Sequence, residues 1–271
     1  MATGPVLSSD GNRVAFVSET ENDTKIIGLY VMKADGSGRR RMAERANGTM
    51  ALAPAWSPDG KRIAFCTVVA DNKRWFASPK LYVIDVDGGH LEHLTGLEGL
   101  FPSWSTDGKR LLFTHLNEAH PWSLYSIELD SKALQPLVKD GALMGSWSPD
   151  GKWLAYIIDS MGLYVAKTDG SNPKRLRAVA GEEMLCPQWS RDSRRLYFTG
   201  RAGDSSAGVY AIDISGQNFR RLSPPKATET LGGDSALCES PRSANVWRSF
   251  GARCAAVIGL EYIHVWPSSR L

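Results

Sequence analysis

The chain repeats itself. "WSPDGKRIAF" begins at Trp56, "WSTDGKRLLF" at Trp104, "WSPDGKWLAY" at Trp147 and "WSRDSRRLYF" at Trp189, with a weaker copy, "LSSDGNRVAF", at Leu7. The acidic residues Asp10, Asp59, Asp107, Asp150 and Asp192 stand 49, 48, 43 and 42 residues apart. Self-similarity at about 40 to 50 residues marks blade arrays, in which no single repeat can bury its own apolar faces. A second phrase recurs inside each unit: "LYVMKADG" from Leu29, "LYVIDVDG" from Leu81, "LYSIELDS" from Leu124, "LYVAKTDG" from Leu163 and "VYAIDISG" from Val209.

Each unit parses into four short strands. An apolar segment ends at the Trp, as in "APAW" or "FPSW". In the following "SPDG" turn, Pro58 presets φ, Asp59 tolerates the third turn position and Gly60 takes the permissive fourth. "KRIAF" alternates as a pleated strand does, a variable loop leads to "LYVID", and a Gly-containing turn leads to a fourth strand such as "LEHLT". No segment of helical period is long enough to compete, so the chain is expected to be all-β. Radial stacking of four-stranded antiparallel sheets buries both faces of each, which makes the expected architecture a β-propeller. The Trp before each turn then fills the wedge between blades, with Ile63, Phe65 and Val14, Phe16 as the opposing wall.

The 271 residues suit six blades of roughly 45 in a single domain. Five blades are legible over residues 1–225, and residues 226–271 are expected to form a degenerate sixth; the alternative is a five-bladed ring with an irregular tail. Asp234 continues the 42-residue spacing and "LEYIHVW" from Leu260 resembles a third strand, while "PRSANVWRSFGARCAAVIG" between them fits no blade.

Charge excludes some functions. Lys and Arg number 32 against 29 Asp and Glu, a net +3 too small to imply a nucleic-acid or membrane-surface partner. The basic run Arg39, Arg40, Arg41 reads as a charged strand edge, which deters sheet-to-sheet aggregation. No apolar stretch reaches the roughly 18 to 20 residues of a membrane span, and no secretory signal is visible at the start. Cys66, Cys186, Cys238 and Cys254 lack metal-like spacing; the first two read as core residues and the last two as a possible staple of the tail.

"PxWSPDGKxIAF…LYVxDxDG…RLT" resembles the WD40-like propeller repeat of the TolB family over residues 5 to 225. The resemblance implies a six-bladed, usually extracytoplasmic or periplasmic scaffold that binds another protein. It departs from the family in starting directly in a blade, where TolB proteins carry an α/β domain, and in its aberrant last blade. The same repeat is similar to propellers that precede prolyl-oligopeptidase-type hydrolase domains, so a propeller piece of a longer peptidase or receptor is a further reading.

Chemistry is not written in the sequence. There is no G-x-S-x-G elbow, and "GGDSA" at 232–236 reads as a blade turn. His90 and His93 sit at a spacing that puts them on opposite strand faces. No cofactor or metal is expected, although His115, His120 and Glu118 share one loop and have the ligand types to meet a cation. Asn22 and Asn47 head sequons that matter only in a eukaryotic secretory setting.

Topology directs the search for a partner. In up-and-down blades the "SPDG" and "VDGG" turns share one face, and the variable loops collect on the other. There lie Lys73, Arg74, Trp75 and Phe76, with His115, Glu118, His120 and Trp122 in the next blade's loop and Glu98, Asp140, Glu182 and Glu183 nearer the channel mouth. Aromatic and Arg side chains are typical interface anchors. The leading expectation is a non-enzymatic, monomeric scaffold that binds a protein or peptide there. The alternative is a channel-mouth hydrolase or lyase acting on saccharides or lactones.

Overall fold

A computed structural model describes residues 2–19, 27–43, 49–69, 77–116, 122–139, 141–158, 162–178, 184–200 and 208–223. These residues form five blades, each a four-stranded antiparallel sheet in sequence order. Blade 1 comprises β1 (Ala2–Leu7), β2 (Arg13–Glu19), β3 (Ile27–Lys33) and β4 (Arg40–Ala43); blade 2 comprises β5 (Thr49–Trp56), β6 (Arg62–Val69), β7 (Ala77–Asp85) and β8 (Glu92–His93). Blade 3 comprises β9 (Gly99–Trp104), β10 (Arg110–His115), β11 (Ser123–Glu128) and β12 (Leu134–Val138). Blade 4 comprises β13 (Ala142–Trp147), β14 (Trp153–Ile158), β15 (Gly162–Lys167) and β16 (Lys174–Ala178), and blade 5 comprises β17 (Met184–Trp189), β18 (Arg195–Gly200), β19 (Gly208–Asp213) and β20 (Arg220–Arg221). One parallel bridge, Ile27 to Met50, also joins β3 to β5. The first strands β1, β5, β9, β13 and β17 neighbour one another in succession, so they surround the axis. The expected all-β propeller of four-stranded antiparallel blades is the observed fold. Residues 226–271, with Asp234, Cys238 and Cys254, and the sequons at Asn22 and Asn47 lie outside the described residues.

The turn works as its residues dictate. Gly60 N donates to Ser57 O at 2.9 Å and has φ 67°, the left-handed region glycine occupies without cost. Asp59 Oδ1 accepts from Ser57 Oγ at 2.6 Å and from Lys61 N at 3.0 Å, while Ser57 Oγ accepts from Arg62 N at 2.9 Å. The same pattern recurs at Ser8–Asp10, Ser105–Asp107, Ser148–Asp150 and Ser190–Asp192. These bonds hold each Asp carboxyl below its usual range; at Asp59 and Asp107 the Ser hydroxyl is the largest cause.

Packing between blades forms the core. Trp56, Ile63, Phe65, Tyr82 and Ile84 of blade 2 bury against Ala15, Val17, Leu29 and Val31 of blade 1. The sequence assigned Val14 and Phe16 to that wall; the structure corrects this by one residue, and Ile63 and Phe65 share the face of Trp56. Alternation on a strand puts the neighbouring set on the other side. The pattern repeats, with Ala64, Leu81 and Val83 against Trp104, Leu111 and Phe113, then Leu112 and Leu124 against Trp147, Leu154 and Tyr156. Each buried aromatic or aliphatic side chain contributes about 1.5–3 kcal/mol.

Polar clasps fix the register between blades. Trp56 Nε1 donates to Val6 O at 2.8 Å, Trp104 Nε1 to Ala55 O at 3.0 Å and Trp189 Nε1 to Ser146 O at 3.0 Å. In return, the Arg after the turn in blades 1 to 3 reaches forward. Arg13 Nη2 donates to Gly60 O at 2.8 Å with its guanidinium 5.0 Å from the Trp56 ring, and Arg62 Nη2 donates to Gly108 O at 3.1 Å with its guanidinium 4.8 Å from Trp104. Arg110 sits 5.2 Å from Trp147. The W-x-x-x-G-x-R of blades 2 and 3, and Arg13 of blade 1, thus grip the following blade, while blade 4 has Trp153 at the Arg position and blade 5 has Ser193 at the Gly position.

Candidate partner-binding face

The axial strands share a deformation. Ala53, Phe101, Met144 and Cys186 have φ of 50°, 54°, 53° and 53°. Each lies three residues before its Trp, and at each the pairing with the second strand shifts register. Such a bulge leaves one residue out of the ladder and re-aims its side chain. Phe101, Met144 and Cys186, from three successive axial strands, meet one another, with Cys186 Sγ 3.8 Å from Met144 Sδ. Met144 N is held by Thr114 Oγ1 at 3.0 Å, so the bulge is tied to the neighbouring blade.

The apolar ground extends to the loop-rich end. Met50, Leu52, Ala53, Phe101, Leu116 and Trp122 are half-buried around the fully buried Cys66, Val68 and Leu100. Cys66 lies under this layer, its thiol 3.5 Å from Leu52 O, and burial pushes its pKa up to about 12. Trp122 also packs on the cluster between blades 4 and 5, and its carbonyl accepts from Gly141 N at 2.9 Å. Trp122 is thus half sunk into the scaffold.

His115 ends β10 beside these residues. Its Nδ1 lies 2.8 Å from Glu98 O, and its ring meets Tyr125 edge-on at 5.3 Å. A carbonyl only accepts, so Nδ1–H is the donor of this bond. Glu98 thus meets His115 through its backbone carbonyl. Among the described residues no three His, Cys, Asp or Glu side chains converge as metal ligands, and no helix is long and apolar enough to cross a membrane. Of the expected site residues, the structure brings Glu98, His115 and Trp122 to one end; Lys73, Arg74, Trp75, Phe76, Glu118, His120, Asp140, Glu182 and Glu183 lie outside the described residues. Sequence reasoning missed Phe101, Met144 and Cys186, whose signal was a shared offset from the Trp.

Comparison with known proteins agrees with this architecture. Residues 1–162 match the family model of the TolB beta propeller domain. A curated relative, the Tol-Pal system protein TolB of Thioalkalivibrio sulfidiphilus (strain HL-EbGR7), is 33% identical over 87 residues, 32% of this chain and 18% of that protein. The chain thus matches under a fifth of this relative's length. The structure of putative TolB from Agrobacterium tumefaciens superposes with a TM-score of 0.67 at 22% identity, covering 82% of this chain and 80% of that one. TolB from Acinetobacter baumannii gives 0.64 at 20% identity, over 82% and 53% of the respective chains. The family model spans more than half of the sequence, and the chain belongs to the TolB β-propeller family.

Proposed function

We propose that this propeller is a non-catalytic scaffold that binds a protein or peptide through its loop-rich face, at the mouth of the axis. The observation that carries the reading is the half-buried apolar layer of Met50, Leu52, Phe101, Leu116, Trp122 and Met144 at that end. Aromatic and Met side chains are enriched in interfaces, and Met adapts its shape to a partner. The rigid blades hold this layer in place, so little ordering cost falls on binding. The segments that carry Lys73, Arg74, Trp75, Phe76, Glu118, His120, Asp140, Glu182 and Glu183 connect strands at this end and supply a mixed-charge rim in the proposal. The relative that belongs to the Tol-Pal system supports a protein partner.

The test is affinity capture with wild type and with Phe101→Asn/Met144→Asn. Asn is the non-Gly residue best suited to left-handed φ, so this variant removes the apolar floor while keeping the bulge. Loss of a partner seen with wild type, from a variant with an unchanged circular-dichroism spectrum, is the expected result. Identical partner profiles from the two proteins, and again from Trp75→Ala/Phe76→Ala/Trp122→Ala, reject the face.

A further inference from the structure

Blade 5 carries an arginine-rich version of the shared turn. Arg191 stands where the other blades have Ser9, Pro58, Thr106 and Pro149, and Arg194 where they have Asn12, Lys61, Lys109 and Lys152. Both are exposed, and Arg195 beside them is half-buried. A cavity of about 600 Å³ opens at this turn, lined among the described residues by Arg191, Asp192, Arg194, Arg195, Tyr197 and Asp213. Its two carboxylates already have donors from their own blade. Asp192 Oδ1 accepts from Ser190 Oγ at 2.6 Å and from Arg194 N at 3.1 Å. Asp213 accepts from Arg195 Nε at 3.0 Å and from Asn218 Nδ2 at 2.6 Å. The guanidinium groups of Arg191 and Arg194, by contrast, make no hydrogen bond or ion pair among the described residues. More positive charge lies alongside. Lys174 Nζ of blade 4 donates to Ser215 O at 2.9 Å, and Asp213 is held below the usual carboxyl range chiefly by Asn218, then by Arg195, with the charge of Arg220 adding. Five cations thus stand around two carboxylates.

We propose that this cavity binds a small organic oxyanion that carries hydroxyl groups, namely a phosphorylated or carboxylated sugar. Arg191 and Arg194 take the oxyanion, because a guanidinium presents paired N–H donors that match the oxygens of a phosphate or carboxylate. Arg195 is positioned for the same charge. Arg13 and Arg62 are committed to the next blade through Gly60 O and Gly108 O, whereas Arg195 turns its Nε to Asp213 at the cavity wall. Asp192 and Asp213 serve the ligand hydroxyls, since an ionised carboxylate has about four acceptor sites and each has two described donors. Tyr197 and Ile214, both half-buried, give the carbon body an apolar wall. The volume suits such a ligand, as small-molecule sites span about 300–1,000 Å³. The site belongs to the turn end of the blade, so the inference stands apart from the partner proposed for the loop-rich face.

Isothermal titration calorimetry of the full chain tests this with glucose-6-phosphate, glucuronate, inorganic phosphate and glucose as probes. Saturable binding of glucose-6-phosphate or glucuronate is expected, tighter than that of inorganic phosphate and with no binding of glucose. The tighter of the two sugar acids identifies phosphate or carboxylate as the preferred group. Arg191→Gln/Arg194→Gln changes two exposed side chains and should keep the wild-type melting temperature. It should weaken binding by roughly 10- to 100-fold, the effect of losing a charge-assisted hydrogen bond. Lys61→Gln/Lys109→Gln removes the equivalent cations of blades 2 and 3. At about 0.15 M salt, where distant charges are screened, it should change binding by no more than about twofold. The proposal is overturned if neither sugar acid binds at about 10 mM, a concentration that saturates most of a millimolar site. It is equally overturned if inorganic phosphate or glucose binds as tightly as the sugar acids, or if the blade 2 and 3 variant loses as much affinity as the blade 5 variant.

Discussion

Two tryptophans at equivalent positions separate the inter-blade hydrogen bond from the inter-blade wedge. Trp104 and Trp147 are 8% and 6% exposed, and each carries an Arg guanidinium over its ring, at 4.8 and 5.2 Å. Trp104 Nε1 donates to Ala55 O of the preceding blade at 3.0 Å, whereas Trp147 Nε1 turns to Thr168 O of its own blade at 3.5 Å. Phe in place of either Trp removes similar volume and leaves a ring for the Arg. Only Trp104→Phe also removes a well-formed hydrogen bond to the carbonyl of a fully buried residue, Ala55, a loss of about 0.5–1.5 kcal/mol. At a long contact to half-buried Thr168, the same change costs little beyond the packing. For a chain of this size each 1 kcal/mol lowers Tm by about 2–4 °C. Trp104→Phe is therefore expected to melt about 1–6 °C below Trp147→Phe. Differential scanning calorimetry and urea titration of the two purified variants measure this directly. Equal melting temperatures, or a lower one for Trp147→Phe, would refute the assignment of register between blades to the Trp clasp.

Other features give independent tests. Asp59 and Asp107 have folded pKa values below the unfolded one, chiefly through the hydroxyls of Ser57 and Ser105 and then the Lys61 and Lys109 amides. Their contribution is present above the unfolded pKa of about 3.9 and lost as pH falls through the depressed folded values. Asp59→Asn/Asp107→Asn should accordingly show a shallower fall in Tm than wild type between about pH 5 and pH 2; parallel curves would contradict this. Gly170 and Gly36 both have left-handed φ, +84° and +88°, but a Cβ on Gly170 would lie 2.2 Å from Leu137 O of blade 3 while one on Gly36 meets nothing. Both Ala variants incur the left-handed cost of about 1–2 kcal/mol, and Gly170→Ala should lose more Tm because backbone must also move. Cys66, with its thiol pushed up to about 12, should resist neutral-pH alkylation in the native state and react on unfolding, as read by peptide mass mapping.

What the sequence revealed and what it hid divide along a physical line. The Trp and the "SPDG" turn were legible because they recur with fixed spacing, whereas the forward Arg was not, since its acceptor lies in the next blade. The wall opposite Trp56 was not, since strands buried on both faces carry two apolar sets, and Val14 with Phe16 looks as suitable as Ala15 with Val17. The axial bulge was harder still. A residue before proline is expected to be extended, so Ala53-Pro54, Phe101-Pro102 and Cys186-Pro187 pointed away from the left-handed backbone they adopt. That conformation is imposed by the surrounding blades, as the tether from Thr114 to Met144 illustrates. The bulge also tells scaffold from site. Where all blades need one residue, as at the turn Asp, its recurrence marks construction. At the bulge the backbone repeats while its side chains differ, as Ala, Phe, Met and Cys aimed toward one axis. In the proposed scaffold, the inward position that repeats its geometry and varies its chemistry would meet an asymmetric partner, and Phe101 and Met144 are where that proposal is most directly open to mutation.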